Sequence, residues 1–308
     1  AKLVDLAPTL AYLVGGQGPS ATSGRVLHEI LTPETAHWGP KQRPKVVVLF
    51  SLDQCRRDHF GLFAPALPFI RQRIVAQGAF FTNAHLTYAQ TATAVSHATA
   101  GTGAIPAHHG IIGNNITKPD GTFSLSIDDG HGPDPGHGDL SPKNILVPTL
   151  ADEIDLQYGN RCHIQASSNY ARAAIGIAGH GAFYKQNNPQ PDRDTVFAFN
   201  AHSGLPYTNT AYYRLPPSLD VKQHPQVHIK RWLAANYDLH LDKTRWTPAL
   251  KIVDKSPYAA YSDPIKTSQG RFPWGAKYHF DHPLTDPTAR EPDPLQRHHQ
   301  YAPGKTQL

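Results

Sequence analysis

The sequence contains no methionine and two cysteines in 308 residues. Cys55 and Cys162 make neither a disulfide framework nor a CxxC zinc motif, and two unpaired core thiols fit them better than one disulfide. No apolar run reaches the roughly 18 residues that a membrane-spanning helix needs, so we expect no membrane span. Since the chain starts at Ala1 without the charged-then-apolar layout of a signal peptide, we expect a processed chain or a fragment.

Runs of basic residues are also absent, although the formal net charge is +5. Lysine and arginine are scattered and are not interleaved with aromatic residues, which argues against a nucleic-acid interface. A basic chain remains compatible with an anionic substrate. An apolar content of 39% with 17% charged residues is typical of a globular protein and argues against disorder.

Alternating strand and helix signals occupy the first half of the chain. The apolar run "KVVVLFSLD" (45–53) predicts a strand buried on both faces and ending at Asp53. A helix is predicted for "LPFIRQRIVAQG" (67–78), a second strand for "AFFTNAHL" (79–86), and a further helix around residues 94–103. This order favours the α/β class, with a mostly parallel central sheet and helices on both faces.

The rest of the chain divides by composition. We expect a short helix in residues 1–31, a Pro-rich polar linker at 32–44, a core over 45–184, and an irregular, Pro-rich, cap-like region over 185–308. The core also carries a predicted helix in "VPTLADEIDLQYG" (147–159) and a third strand in "RCHIQASS" (161–168).

Asp53 and Thr93 are the first candidates for chemistry. Because parallel sheets gather functional groups at the carboxyl ends of their strands, a strand-end carboxylate and a hydroxyl at a helix start can converge there. Such oxygen ligands suit a metal ion, and a metal makes a hydroxyl a usable nucleophile near neutral pH. The same pattern also fits a capping threonine and a strand-end aspartate without chemistry, and the residues alone favour that simpler interpretation.

Two longer segments resemble a known family. "VVVLFSLDQCRRDHF" followed by "TATAVSHATAGTGAIPAHHGIIGNN" is similar to the alkaline phosphatase superfamily, in particular the branch with single-threonine alkaline phosphatases and type I phosphodiesterase/nucleotide pyrophosphatases. The resemblance implies that Asp53 binds zinc and that Thr93, four residues before His97, is both nucleophile and metal ligand. Asn114 matches the residue that donates to a phosphoryl oxygen.

A third segment, "SSNYARAAIGIAGHGAFY" (167–184), resembles the place where phosphomonoesterase members carry Lys-x-Arg. Arg172 stands in the arginine position, and its guanidinium is shaped to hold two phosphoryl oxygens. Tyr170 stands in the lysine position and brings no positive charge. This departure disfavours a monoester dianion more than a diester monoanion, so both phosphodiesterase and weakened phosphatase chemistry stay open.

The resemblance is incomplete in two respects. The family binds two zinc ions, and no full set of further ligands is evident here; His282, His298 and His299 are the weak remaining candidates. Residues 1–31 resemble the family's C-terminal signature yet precede the first predicted strand. We therefore expect a fragment or a permuted or tandem product, with a complementary chain or segment supplying the missing ligands.

The resemblance implies a metal-dependent phosphoester hydrolase that acts on a small-molecule phosphoester, monoester or diester, through a threonine nucleophile and a covalent phosphoenzyme. It also implies export to the periplasm or out of the cell. The alternative is a non-catalytic partial domain or pseudoenzyme, since Asp53 and Thr93 are only two of the three or four ligands that zinc takes. A sulfatase-like activity is disfavoured because no C/S-x-P-x-R segment stands at the nucleophile position.

Overall fold

The computed structural model describes residues 1–53, 55, 59–62, 67–118, 120–129, 140–181, 194–199, 205–220, 223–224, 264–267 and 270–273. The chain forms two compact units. The first comprises Ala1–Asp53 and Ala79–Ile229, and the second comprises Gln54–Gly78 and Lys230–Leu308. All five residues predicted for the site belong to the first unit.

The helices among the described residues are α1 (Leu6–Val14), α2 (Pro33–Ala36), α3 (His59–Leu62), α4 (Thr93–Thr102), α5 (Pro106–His109), α6 (Leu150–Gln157) and α7 (Ala171–Ala178). The strands are β1 (Asn115–Thr117), β2 (Phe123–Leu125), β3 (Gln165–Ser168), β4 (Thr195–Phe199), β5 (Pro206–Tyr207), β6 (Pro264–Thr267) and β7 (Gly270–Pro273). Short 3-10 turns cover Leu3–Asp5, His28–Ile30 and Pro217–Leu219.

The first unit has an α/β arrangement around a three-stranded sheet. Strand β3 pairs parallel with β4, which pairs antiparallel with β5. Helix α7 follows β3 directly and packs against both β3 and β4. Strands β1 and β2 form a separate antiparallel hairpin. The predicted third strand is thus confirmed as β3, and the described part of this sheet is mixed.

Helices α4 and α7 pack against each other more extensively than any other pair of elements in this unit. Their contact is lined by small residues, and a Cβ atom at Gly101 would overlap the carbonyl oxygen of Gly176. A Cβ atom at Gly176 would likewise lie 2.7 Å from the backbone nitrogen of Ala98. The two helix backbones therefore touch directly, and any side chain larger than hydrogen at these glycines would push them apart.

Local end signals place α1 and α6 where the sequence predicts helices. Helix α6 begins after Thr149, whose hydroxyl accepts a hydrogen bond from the Asp152 backbone nitrogen while Asp152 accepts one from the Thr149 nitrogen. This reciprocal pair is a capping box and satisfies two backbone donors. Helix α1 ends at Gly15, which adopts a left-handed conformation with φ 86° that glycine tolerates.

The N-terminal residues pack onto the part of the chain that carries α4. The Leu3 nitrogen donates to the His85 carbonyl oxygen over 3.3 Å, and the His85 nitrogen donates to the Ala1 carbonyl oxygen over 3.0 Å. The Ser23 nitrogen donates to the Gly103 carbonyl oxygen, just beyond the end of α4, and α1 also contacts α4. Residues 1–31 are therefore an integral part of the first unit.

The two strands predicted before α4 are wrong. Residues 45–53 carry no strand, and Val46 and Phe50 are 75% and 82% exposed. Residues 79–86 contribute one isolated bridge, from His85 to Lys2. A buried parallel strand exists only where neighbouring strands accept its hydrogen bonds on both sides, and among the described residues no strand pairs with either segment.

The second unit is described over a helical stretch and a hairpin. Its helical stretch has a π-helical segment at Ile70–Val75, within the predicted helix 67–78. Strands β6 and β7 pair antiparallel. The predicted metal candidates His282, His298 and His299 lie outside the described residues. Within the part of the chain that is described, no helix is long and apolar enough to cross a lipid bilayer.

Candidate active site

Thr93 is the first residue of α4, and its hydroxyl points at Asp53. Thr93 Oγ1 donates a hydrogen bond to Asp53 Oδ2 over 2.9 Å. The N-cap of α4 is Ala92, so the Thr93 hydroxyl does not cap the helix. The carboxylate and the hydroxyl that the sequence predicts to converge do lie together, although the strand expected to carry Asp53 is not formed. The interpretation of Thr93 as an ordinary helix cap does not fit this geometry.

Asn114 is held against the same helix start. Its Oδ1 accepts a hydrogen bond from the Ala94 backbone nitrogen over 2.9 Å, and its backbone carbonyl accepts one from Ser126. Because the Ala94 N–H can only donate, the amide oxygen must face the helix. The two N–H bonds of the Asn114 side chain therefore remain as donors on the other side of the amide.

Arg172 lies near the start of α7 and brings a positive charge towards Asp53. Burial lowers the pKa of the Arg172 guanidinium, while the nearby Tyr170, Asp53 and Tyr207 side chains raise it. Arginine nevertheless keeps its charge at neutral pH. Among the described residues, the buried Arg172 Nε has no hydrogen-bond partner. An unpaired buried donor of this kind is costly unless an anion or water takes it up.

Tyr170 is the N-cap residue of α7 and covers one face of the guanidinium. The Arg172 Cζ atom lies 4.4 Å from the centre of the Tyr170 ring, within the range of a cation–π contact. Tyr170 is 41% exposed, so part of this residue also faces solvent. Of the five residues predicted for the site, Arg172 is the single cation.

Two residues near this site have contacts that the sequence did not reveal. His97 Nδ1 lies 2.7 Å from the Thr93 carbonyl oxygen, and His97 Nε2 lies 2.9 Å from Ser51 Oγ. The sequence marks His97 by its spacing from Thr93, but nothing in its pattern links it to Ser51. That contact joins residues 46 positions apart in the chain.

The donor set for a metal is small. Asp53 and Thr93 together offer a carboxylate and a hydroxyl oxygen, which is two of the three or four protein ligands that zinc usually takes. Within the described ranges, no group of three or more histidine, cysteine, aspartate or glutamate side chains is placed to hold a metal ion. The described residues therefore do not make a complete zinc site.

A family of known proteins and several curated proteins match this chain, and these matches agree with one another. Residues 47–147 match the family described as Type I phosphodiesterase / nucleotide pyrophosphatase. Alkaline phosphatase PhoV of Synechococcus elongatus is 34% identical over 146 residues, which is 46% of this chain and 26% of that protein. Alkaline phosphatase PafA of Elizabethkingia meningoseptica is 30% identical over 162 residues, again 46% of this chain and 28% of that protein.

A solved structure of wild-type alkaline phosphatase PafA has the same fold over the aligned part. It superposes with a TM-score of 0.51 at 25% identity and covers 59% of this chain and 34% of its own. This likeness confirms the predicted α/β class. The chain spans about a quarter of the length of the curated relatives that it matches.

Proposed function

We propose, from the similarity of this chain to the alkaline phosphatase superfamily, that it carries the nucleophile half of a metal-dependent phosphoester hydrolase. The observation that carries the proposal is the hydrogen bond from Thr93 Oγ1 to Asp53 Oδ2 at the start of α4. Capping and packing do not require that contact, whereas a hydroxyl and a carboxylate that share a metal ion must lie close together.

In the proposed reaction, the Thr93 hydroxyl loses its proton to solvent and its oxygen forms a bond to phosphorus as the bond to the leaving alcohol oxygen breaks. The leaving oxygen takes the electron pair and then a proton from solvent. Water then hydrolyses the phosphothreonine, releasing phosphate or a phosphate monoester. Zinc, when bound, would be held in part by the oxygens of Asp53 and Thr93 and would supply the acidity that makes a hydroxyl reactive near neutral pH.

Two side chains would hold the non-bridging oxygens as charge redistributes. The orientation of Asn114, fixed by its contact with the Ala94 nitrogen, supports a role as a neutral donor. The unpaired, buried Nε of Arg172 supports a role as the charged donor. Preorganised donors of this kind stabilise the transition state because they need not reorganise during the reaction.

The charge balance favours a diester as substrate. A diester carries one negative charge on its phosphoryl group and a monoester carries close to two at neutral pH. Of the predicted site residues only Arg172 is cationic, and its neighbour Tyr170 is neutral and stacked on it. The exposed face of the Tyr170 ring would contact the second ester substituent, which a monoester lacks.

A second candidate, a non-catalytic partial domain, is favoured by the two-donor metal set. In that case the chain would bind phosphate or one metal weakly and would turn nothing over.

We propose that a complementary chain or segment supplies the remaining zinc ligands, and that the protein acts in the periplasm or outside the cell. Fractionation of the producing cells tests the location, and a cytoplasmic pool alone would contradict it.

One experiment tests the nucleophile. The chain is assayed with p-nitrophenyl phosphate and bis-p-nitrophenyl phosphate, with and without added zinc, and zinc content is measured. We expect turnover of the diester that Thr93→Ala abolishes and Thr93→Ser retains in part. Thr91→Ala, two residues away on the same segment, is the matched control. A phosphorylated Thr93 trapped at low pH should appear by mass spectrometry.

The outcomes separate the two candidates. Less than one zinc per chain and no turnover of either ester would support the partial-domain interpretation. Turnover that persists in Thr93→Ala would overturn the nucleophile assignment.

A further inference from the structure

His97 is buried and held at both ring nitrogens. The residue is 7% exposed, and it lies one helical turn after Thr93 on α4. Its Nδ1 lies 2.7 Å from the Thr93 carbonyl oxygen and its Nε2 lies 2.9 Å from Ser51 Oγ. The ring thus bridges the first turn of α4 and the segment that carries Asp53.

The chemistry of the two partners fixes the protonation of the ring. The Thr93 carbonyl can only accept, so Nδ1 must carry a proton. In the neutral imidazole Nε2 then has a lone pair, and the Ser51 hydroxyl donates to it. The carbonyl thus sets the proton on Nδ1, and the serine hydroxyl, which can donate or accept, takes the matching role towards Nε2.

Ser51 lies two residues before Asp53, so the same short segment touches α4 twice. The Asp53 carboxylate accepts from Thr93 Oγ1, and the Ser51 hydroxyl donates to His97. Among the described residues, no backbone hydrogen bond pairs residues 45–52 with another segment, and no strand covers them. The two side-chain contacts tie this segment to α4.

We propose that His97 and Ser51 are positioning residues that hold Asp53 within hydrogen-bond distance of the Thr93 hydroxyl. This inference rests on the proposed function for its catalytic meaning, but the positioning itself does not need turnover to be observed. The Thr93–Asp53 bond joins two partly exposed side chains, and a bond in contact with water is weak by itself. The second contact, to a buried ring, stops the segment from pivoting about the first.

Position 51 offers a matched set of variants. Alanine there removes the hydroxyl that donates to Nε2, whereas threonine keeps the hydroxyl. Ser51→Ala therefore isolates the contact, Ser51→Thr is the rescue variant, and Leu52→Ala is the matched control because Leu52 is 58% exposed between the two contact residues.

The test has three readouts. Long-range ¹H–¹⁵N spectra of the labelled full chain should show His97 with its proton on Nδ1. Backbone ¹⁵N relaxation should show order parameters at residues 51–53 that fall towards about 0.6 or lower in Ser51→Ala and stay near the rigid value in Leu52→Ala and Ser51→Thr. With bis-p-nitrophenyl phosphate and zinc, kcat should fall about tenfold or more in Ser51→Ala with little change in KM.

Each readout has an outcome that overturns the inference. A proton on Nε2 in place of Nδ1, or unchanged order parameters at 51–53 in Ser51→Ala, would show that the contact does not position the segment. If wild type itself shows no turnover, the proposed function fails, while the tautomer and the order parameters still decide the positioning. A kcat that falls only in proportion to the folded fraction would reduce the contact to a structural role and also count against it.

Discussion

Acidification should destabilise this protein through His109, a histidine with no solvent-exposed surface. Its Nδ1 accepts a hydrogen bond from the Ile111 backbone nitrogen over 3.1 Å. Its Nε2 lies 3.0 Å from Thr99 Oγ1 and carries the ring proton in the neutral form. A second proton on Nδ1 would face the Ile111 N–H, a donor against a donor, within a buried environment. The neutral ring is therefore the form that the fold accepts.

The size of the effect follows from the pKa. Burial lowers the pKa of His109 from 6.5 to about 4, while a backbone hydrogen bond opposes the change. Between these values the unfolded chain binds a proton that the folded chain does not, so stability falls as the pH falls. The stabilisation is complete above pH 6.5 and is lost by about pH 4. At about 1.4 kcal/mol per pH unit, the loss is roughly 3 kcal/mol.

The assay is chemical denaturation at several pH values from 7 down to 4, followed by circular dichroism. Carboxylates titrate in the same range, so wild type is compared with His109→Gln, which lacks the imidazole. We expect the free energy of unfolding of wild type to fall by roughly 3 kcal/mol more than that of the variant. His108→Gln, at the exposed neighbouring position, should keep most of the wild-type fall, because His108 is the smallest of the causes that shift the pKa of His109. Parallel pH profiles for wild type and His109→Gln would refute the reasoning.

Three other predictions concern the first unit. His180 Nδ1 lies 2.8 Å from Asp152 Oδ2, and although burial alone would lower the pKa of His180, Asp152 and the Ile145 carbonyl raise it overall. The stability that His180 contributes is complete below pH 6.5 and is lost as the pH rises through the raised pKa. In urea denaturation from pH 6.5 to 9, the free energy of unfolding of Asp152→Asn should therefore fall less than that of wild type. Gly101→Ala should lower the free energy of unfolding by about 1–3 kcal/mol, since overlap with α7 outweighs the roughly 1 kcal/mol gain in helix propensity; a thermal melt at or above wild type would contradict this. Tyr170→Lys should raise the monoester-to-diester ratio of kcat/KM about tenfold or more, because lysine adds the second positive charge; an unchanged ratio in the p-nitrophenyl assays would count against the diester preference.

Helices α1, α4 and α6 of the first unit were predictable because their signals are local. Thr149 and Asp152 form a capping box within four residues, and Gly15 ends α1 next to its last turn. Each signal is complete in a short stretch of sequence. The strand predicted at 45–53 is wrong for the opposite reason: a strand depends on partners elsewhere in the chain, and apolar residues do not specify whether partners are present.

The site was predictable in part. The contact between Asp53 and Thr93 was expected from strand-end reasoning, although the strand itself is not formed, and the residue spacing that resembles a family singled out Thr93 among several threonines. The contact between Ser51 and His97 was missed because it has no periodicity and no motif. The stacking of Tyr170 on Arg172 depends on side-chain rotamers, which sequence patterns do not specify.

The direct contact between the backbones of α4 and α7 also sets the width of the candidate site. Thr93 stands at one end of α4 and Arg172 lies near the start of α7. At Gly101 and Gly176 the distance between the two helices is set by contact between their backbones, with no side chain in between. The spacing between Thr93 and Arg172 therefore depends on the register of the two helices. One residue inserted between Thr93 and Gly101 would rotate the hydroxyl about 100° around the helix axis, away from Asp53. The eight steps from Thr93 to Gly101 are therefore fixed in number by the site.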